Sequence, residues 1–131
     1  MATPTELKHV PGAELSSQTA QTEGMVREEA ISARKAGSTS IWMGRTIVPP
    51  RTSSGPHHHG ASETCIYVVA GRPVFRYAVD DRERTIEAEP GDYVFVPPFV
   101  HHVEENPHEE DAVVVIARST QEAIVVNLDE L

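Results

Sequence analysis

The stretch that decides the fold is PHHHGASETCIYVVAG, residues 56–71, in which a histidine run leads into a run of strand-forming residues. His57 and His59 alternate, so both imidazoles point to the same side of an extended strand. Glu63 follows after a gap of three residues that can hold a turn, and the β-branched and aromatic content of residues 65–69 predicts a strand. Two imidazoles and a carboxylate brought together in this way suit a divalent cation.

The rest of the chain consists of short strand-forming segments separated by turn signals. Ten prolines and eight glycines interrupt the chain, and no long segment keeps the 3.6-residue period of a helix. Residues 112–117 form a continuous apolar run, which is typical of a strand buried on both faces. Many short strands with regular turns predict an all-β sandwich or barrel. We divide the chain into an N-terminal arm, residues 1–24, and a single domain, residues 25–131.

Length and charge exclude several classes of function. A chain of 131 residues with 39% apolar residues is long enough to bury a core as one domain. The net charge of −9 repels phosphates, so we expect neither nucleic acid nor an anionic membrane as a partner. The single cysteine, Cys65, excludes an internal disulfide, and the N-terminus lacks the features of a secretory signal. We therefore expect a cytoplasmic protein that binds a small-molecule substrate and forms a homodimer.

A second histidine motif supplies the remaining ligand. Residues 91–106 contain a glycine and two prolines that form turns, and His102 follows them at the start of another strand. On its own such a histidine is more often structural than a ligand. Together with His57, His59 and Glu63 it predicts a site for one divalent metal ion.

The two motifs resemble the paired motifs of the cupin superfamily. The first family motif, two alternating histidines followed by a glutamate and a glycine, is matched by residues 57–71, and the second by residues 91–106. The resemblance extends over about residues 40–128 and implies a double-stranded β-helix, the jelly-roll barrel, of six to eight strands. It also implies which residues hold the metal inside the barrel: His57, His59, Glu63 and His102.

The fourth ligand stays open between two residues. Counting back from Gly71 puts Thr64 at the ligand position, because seven residues separate Glu63 from that glycine where the family has six. If Glu63 faces away, a β-bulge in the histidine run brings His58 to the metal and gives a sphere of four histidines. Glu63 would then be the catalytic base.

A more specific resemblance concerns the reaction. The segments IWMG, PHHHG, ETCIYVV, GDY, VPP and ARSTQEA are similar to single-domain cupins that cyclise aromatic polyketides. This resemblance implies zinc, with iron, manganese or nickel as alternatives, at the bottom of an apolar cavity. The metal would polarise one carbonyl of a poly-β-ketone, and an enolate formed by a metal-bound hydroxide or by Glu63 would close the ring. The side chains that we expect to contact the substrate are Met43, Tyr67, Phe75 and Phe95.

Such a substrate arrives free or on an acyl carrier protein. Two other classes stay open: another metal-dependent cupin enzyme, which would be a dioxygenase, decarboxylase or isomerase, and a cupin that binds a small ligand without turnover. Redox-active iron or manganese in the purified protein would favour the dioxygenase and the decarboxylase. Ligand binding without turnover by the metal-loaded protein would favour the binding protein.

Overall fold

The computed structural model describes residues 4–120 and 124–131. Among these residues, none of the helices has the length and hydropathy of a membrane span. The described ranges contain one 3-10 helix, Gly12–Glu14, and one α-helix, α1 (Ala33–Ala36). Their strands are β1 (Val26–Ile31), β2 (Trp42–Val48), β3 (Thr52–Ser53), β4 (His57–His58), β5 (Thr64–Ala70), β6 (Val74–Val79), β7 (Arg82–Glu87), β8 (Tyr93–Val96), β9 (His102–Asn106), β10 (Ala112–Arg118) and β11 (Val126–Asn127).

The strands form two antiparallel sheets. One sheet has the order β1-β2-β10-β5-β8, and the other has the order β11-β4-β9-β6-β7, with β3 paired to β9. Most strands that are neighbours in a sheet are far apart in the chain, so each sheet is formed by long-range strand pairings. The all-β prediction is confirmed, and the short histidine strand β4 lies directly against β9.

The core lies between the sheets because the strands alternate between inward and outward residues. In β2, β5 and β10 every second residue is buried. The outward residues of β10 are half-buried, so only one face of this strand is fully buried. The prediction from its apolar run, that both faces are buried, is wrong in this respect. Burying one large apolar side chain contributes roughly 1.5–3 kcal/mol, which fixes the face that each strand turns inward. The packed core residues come from both sheets: Trp42, Ile66, Val68, Phe75, Ala88, Val96, Val114 and Ile116.

The segment before β1 is bonded to the body of the protein. Ser16 and Glu29 each donate a backbone N–H to the other's carbonyl, at 3.1 and 2.6 Å. The Thr22 hydroxyl lies 2.9 Å from Oδ1 of Asn127 and is buried. These bonds tie part of the predicted arm to the edge strand β1 and to β11, while its boundary at residue 24 stays a prediction.

Candidate metal centre

Three of the predicted ligands meet inside the protein. His57 of β4 lies opposite His102 of β9 in the strand register, and His59 follows directly after β4. Each offers one ring nitrogen to a group in which these atoms lie within 4.8 Å of one another. The exposed fractions of the three side chains are only 0, 5 and 3% for His57, His59 and His102. The alternation read from the histidine run therefore places two imidazoles on one face, and the second motif adds the third.

Backbone carbonyls orient all three rings. Nδ1 of His57 lies 2.9 Å from the Gly55 carbonyl, and Nδ1 of His102 lies 3.0 Å from the Val100 carbonyl. Nδ1 of His59 lies 3.0 Å from the Ile124 carbonyl. A carbonyl can only accept, so each Nδ1 carries the proton and each Nε2 keeps a free lone pair. This is the arrangement by which outer contacts orient histidine ligands toward a metal.

Burial keeps the three imidazoles neutral. It is the main cause that lowers the pKa of His59 to about 2 and that of His102 to about 4. The pKa of His57 is lowered still further, by burial first and then by the neighbouring His102. Nε2 of His57 is buried without any hydrogen-bond partner among the described residues. Three neutral nitrogen donors with an orphaned lone pair are what a divalent transition metal requires, so the residues present fit such an ion.

A buried carboxylate adjoins the cluster, and it comes from β9. Glu104 is 4% exposed, and its Oε2 lies 3.7 Å from Nε2 of His57. It stands two residues after His102, so strand alternation puts both side chains on the inward face. Burial raises the pKa of Glu104, while the guanidiniums of Arg27 and Arg118 act in the opposite direction.

The structure does not bring either predicted fourth ligand to the cluster. Glu63 is exposed, and its backbone N–H donates to Oγ of Ser119 at 3.0 Å. The next residue, Thr64, opens β5 and is buried, so alternation turns Glu63 outward. His58 points away from the site and stacks on His101, with the ring centroids 5.2 Å apart.

Two of the four predicted substrate contacts line a cavity beside the centre. Phe75 and Phe95 border an apolar cavity of about 260 Å³ that His102 also lines. Met43 and Tyr67 are exposed instead, because each lies between two inward-facing residues of its strand. Both side chains lie on the outer face of the sheet that contains β2 and β5.

Two buried arginines were not predicted from the sequence. Arg27 and Arg118 are 1% and 2% exposed, and burial lowers their pKa values to about 10 and about 9. The guanidinium of Arg118 lies 4.2 Å over the ring of Trp42. Period-two alternation along β10 was the signal that could have found Arg118, since it shares the inward face with Val114 and Ile116.

The family of the chain follows from comparison with known sequences and structures. The sequence profile described as Cupin domain matches residues 44–118, which is more than half of the chain. This protein therefore belongs to the cupin family. Among curated proteins, no significant match to the chain is found.

Similar solved structures share the fold of this chain, which spans 29–58% of their length. Oxalate decarboxylase from Bacillus subtilis is 23% identical, with a TM-score of 0.74 over 85% of this chain and 29% of that chain. A further structure of the same enzyme was used to study its Mn(II) centres. Oxalate oxidase in complex with the substrate analogue glycolate is 17% identical, with a TM-score of 0.73 over 86% of this chain and 58% of that chain. At these identities the likeness establishes the jelly-roll fold.

Proposed function

We propose that this cupin is a metal-dependent enzyme whose divalent ion is held by His57, His59 and His102, with Glu104 as the fourth ligand. One observation carries the proposal: three neutral imidazoles turn their Nε2 atoms toward one another in a buried site. The carboxylate of Glu104 lies beside this group, with its Oε2 3.7 Å from Nε2 of His57. Nitrogen and carboxylate ligands suit zinc, manganese, iron and nickel.

The bound ion would polarise a carbonyl or carboxylate oxygen of the substrate. The protein's own residues supply orientation and a dry environment. The carbonyls of Gly55 and Val100 hold two of the imidazoles in place, so the ligands need no rearrangement. Phe75 and Val96 form part of the apolar wall beside His102 and keep water from the reacting group.

The substrate class that we put first is a small organic acid, with a decarboxylase or an oxidase reaction. Two enzymes of similar fold act on oxalate by their names, and one of them holds Mn(II), which puts manganese beside zinc as the candidate metal. The cavity volume of about 260 Å³ favours a small molecule, because pockets for drug-sized ligands have roughly 300–1,000 Å³.

Cyclisation of an aromatic polyketide is the second candidate. The apolar and aromatic walls of the cavity, including Phe75 and Phe95, favour it, since a poly-β-ketone must be folded away from water. In this second candidate function the protein would act as a homodimer and would receive its substrate on an acyl carrier protein. Its main obstacle is the small volume of the cavity.

The test begins with protein purified without an affinity tag, loaded in turn with manganese, zinc and iron. Oxalate is supplied first, and carbon dioxide, formate and hydrogen peroxide are measured; a minimal polyketide synthase is then run with and without the protein. We expect turnover of the small acid that disappears in His59→Ala and persists in His101→Ala, a histidine outside the cluster. Full metal content in His59→Ala and His102→Ala would overturn the metal site. Ring products that depend on the protein, without turnover of any small acid, would move the cyclase into first place.

A further inference from the structure

The guanidinium of Arg118 is buried without a partner. None of its three nitrogens has a hydrogen bond to any described residue, although the side chain is only 2% exposed. Across residues 4–120 and 124–131, no carboxylate oxygen lies within 4.0 Å of it. A guanidinium carries five N–H donors, and leaving a buried cation unpaired destabilises the folded state. The fold itself therefore does not account for this residue.

Stacking on Trp42 leaves the donors of Arg118 available. The guanidinium carbon of Arg118 lies over the ring of Trp42, 4.2 Å from its centroid, and none of the guanidinium nitrogens donates a hydrogen bond to a described residue. The stack therefore orients the donor fork without satisfying it. A planar fork of this kind matches a carboxylate, which it can bind through two parallel hydrogen bonds.

Further orphaned polar groups lie on the same inward faces. Thr64 is opposite Arg118 in the register of β5 and β10, and its buried hydroxyl has no partner among the described residues. The same is true of Nε1 of Trp42, which is opposite Arg118 in the register of β2 and β10. Buried polar groups in native proteins are nearly always hydrogen-bonded, so several orphans around one guanidinium indicate a place for a polar ligand.

This polar group adjoins the metal centre and its cavity. Thr64 is paired in register with Val96, which lines the cavity together with His102. Arg118, Thr64 and Val96 therefore lie in one row across β10, β5 and β8, and this row ends at the cavity. Arg118 and Thr64 do not line the cavity themselves, so a molecule bound at the metal would have to extend past Val96 to reach them.

The charge of the interior also calls for an anion. Two buried guanidiniums, Arg27 and Arg118, accompany two buried carboxylates, Glu29 and Glu104, but Glu29 is already paired with Arg34 at 3.0 Å. A divalent metal would add two more positive charges. Charges in a low-dielectric interior need compensation, and negative groups of the substrate can provide it.

We propose that Arg118, assisted by the Thr64 hydroxyl, binds a carboxylate of the substrate and thereby restricts the enzyme to small carboxylic acids. This inference deepens the function proposed above and rests on it. Arg27 contributes charge but no free fork, because its Nη1 already lies 2.7 Å from the Thr22 hydroxyl. Arg118 is therefore the arginine that would bind the substrate carboxylate.

The experiment measures binding of malonate, a small dicarboxylate, and of uncharged malonamide by calorimetry. Zinc-loaded and chelator-treated protein are both used, and the metal content of every sample is determined. The variants are Arg118→Met, Arg118→Lys and the exposed control Arg84→Met. We expect Arg118→Met to weaken malonate binding about tenfold or more, with normal metal content and unchanged malonamide binding. Arg118→Lys should fall between wild type and Arg118→Met, since an ammonium keeps the charge and loses the fork.

Thermal unfolding separates this proposal from a structural role. A cation kept for a ligand is unfavourable in the free protein, so Arg118→Met should raise the Tm of ligand-free protein, while Arg84→Met leaves it unchanged. Unchanged malonate affinity in Arg118→Met, or in Arg118→Lys if the first variant does not fold, would overturn the proposal. A different result is that wild-type protein retains no zinc but still binds malonate in a way that depends on Arg118. That result would overturn the metal-dependent function and leave the carboxylate site standing.

Discussion

Replacing Glu104 by glutamine tests the assignment of the fourth ligand. The change keeps the shape of a side chain that is 4% exposed and removes its negative charge. Its Oε2 lies 3.7 Å from Nε2 of the neutral His57, so the charge that it would act on is that of the bound ion. Two unit charges about 4 Å apart attract by about 4 kcal/mol at an effective dielectric constant of 20. Desolvation of the ion and the carboxylate offsets much of that attraction. We expect a net loss of about 1.4–2.8 kcal/mol, which is a tenfold to hundredfold weaker affinity for zinc.

The assay is competition for zinc with a chromophoric chelator at pH 7.5, and Glu63→Gln is the matched control. Glu63 is exposed and separated from the cluster by strand alternation, so its replacement should leave the affinity unchanged. Circular dichroism and the Tm identify any variant that fails to fold. Equal zinc affinity of folded Glu104→Gln and wild type would refute the assignment, and a selective loss in Glu63→Gln would restore the ligand that the sequence predicts.

Three further predictions concern the histidines. His59→Ala and His102→Ala should each reduce bound metal by far more than half, measured by mass spectrometry of the metal, whereas His101→Ala should keep full content. Removing the metal by chelation should lower the Tm at pH 8, because an ion at 100 times its Kd stabilises the folded state by about 2.7 kcal/mol; an unchanged Tm would contradict this. Metal-free protein should lose stability as the pH falls from 7 to 5, since unfolded histidine binds protons below its ordinary pKa of about 6.5 while His102 stays neutral down to about 4. His102 alone lowers the free energy of unfolding by about 2 kcal/mol at pH 5 relative to pH 7. Urea titrations that give the same free energy of unfolding at both pH values would contradict the lowered pKa of His102.

The fold could be predicted because local signals agree. The strand formers of residues 65–69 and the apolar run of residues 112–117 became the paired strands β5 and β10. Turn signals at residues 90–92 and 97–98 fell between strands. Which strands pair across the two sheets was beyond the sequence, because β5 and β10 are more than 40 residues apart and nothing local records that contact.

The site could be predicted only where it follows the family spacing. His57, His59 and His102 came together as the two motifs implied. The carboxylate did not, because one extra residue before Gly71 rotates Glu63 to the outside and leaves Thr64 facing inward. Met43 and Tyr67 were predicted to contact the substrate but lie on the outer face, since apolar or aromatic character does not determine which face of a strand a residue occupies.

The charge of the whole chain also hides the charge of the site. A net charge of −9 predicts poor binding of anions at the surface, and it argued against anionic partners in general. Beside the site the balance differs, because Arg27 and Arg118 are buried with Glu104, while the other buried carboxylate, Glu29, is paired with Arg34. Buried charges are screened far less than surface charges, so two interior guanidiniums outweigh a diffuse acidic surface for a molecule that has entered the cavity. The acidic surface should therefore slow the entry of a carboxylate substrate without preventing its binding. Raising the salt concentration should speed malonate association while leaving the tenfold effect of Arg118→Met in place, and a loss of that effect in high salt would place the anion at the surface instead.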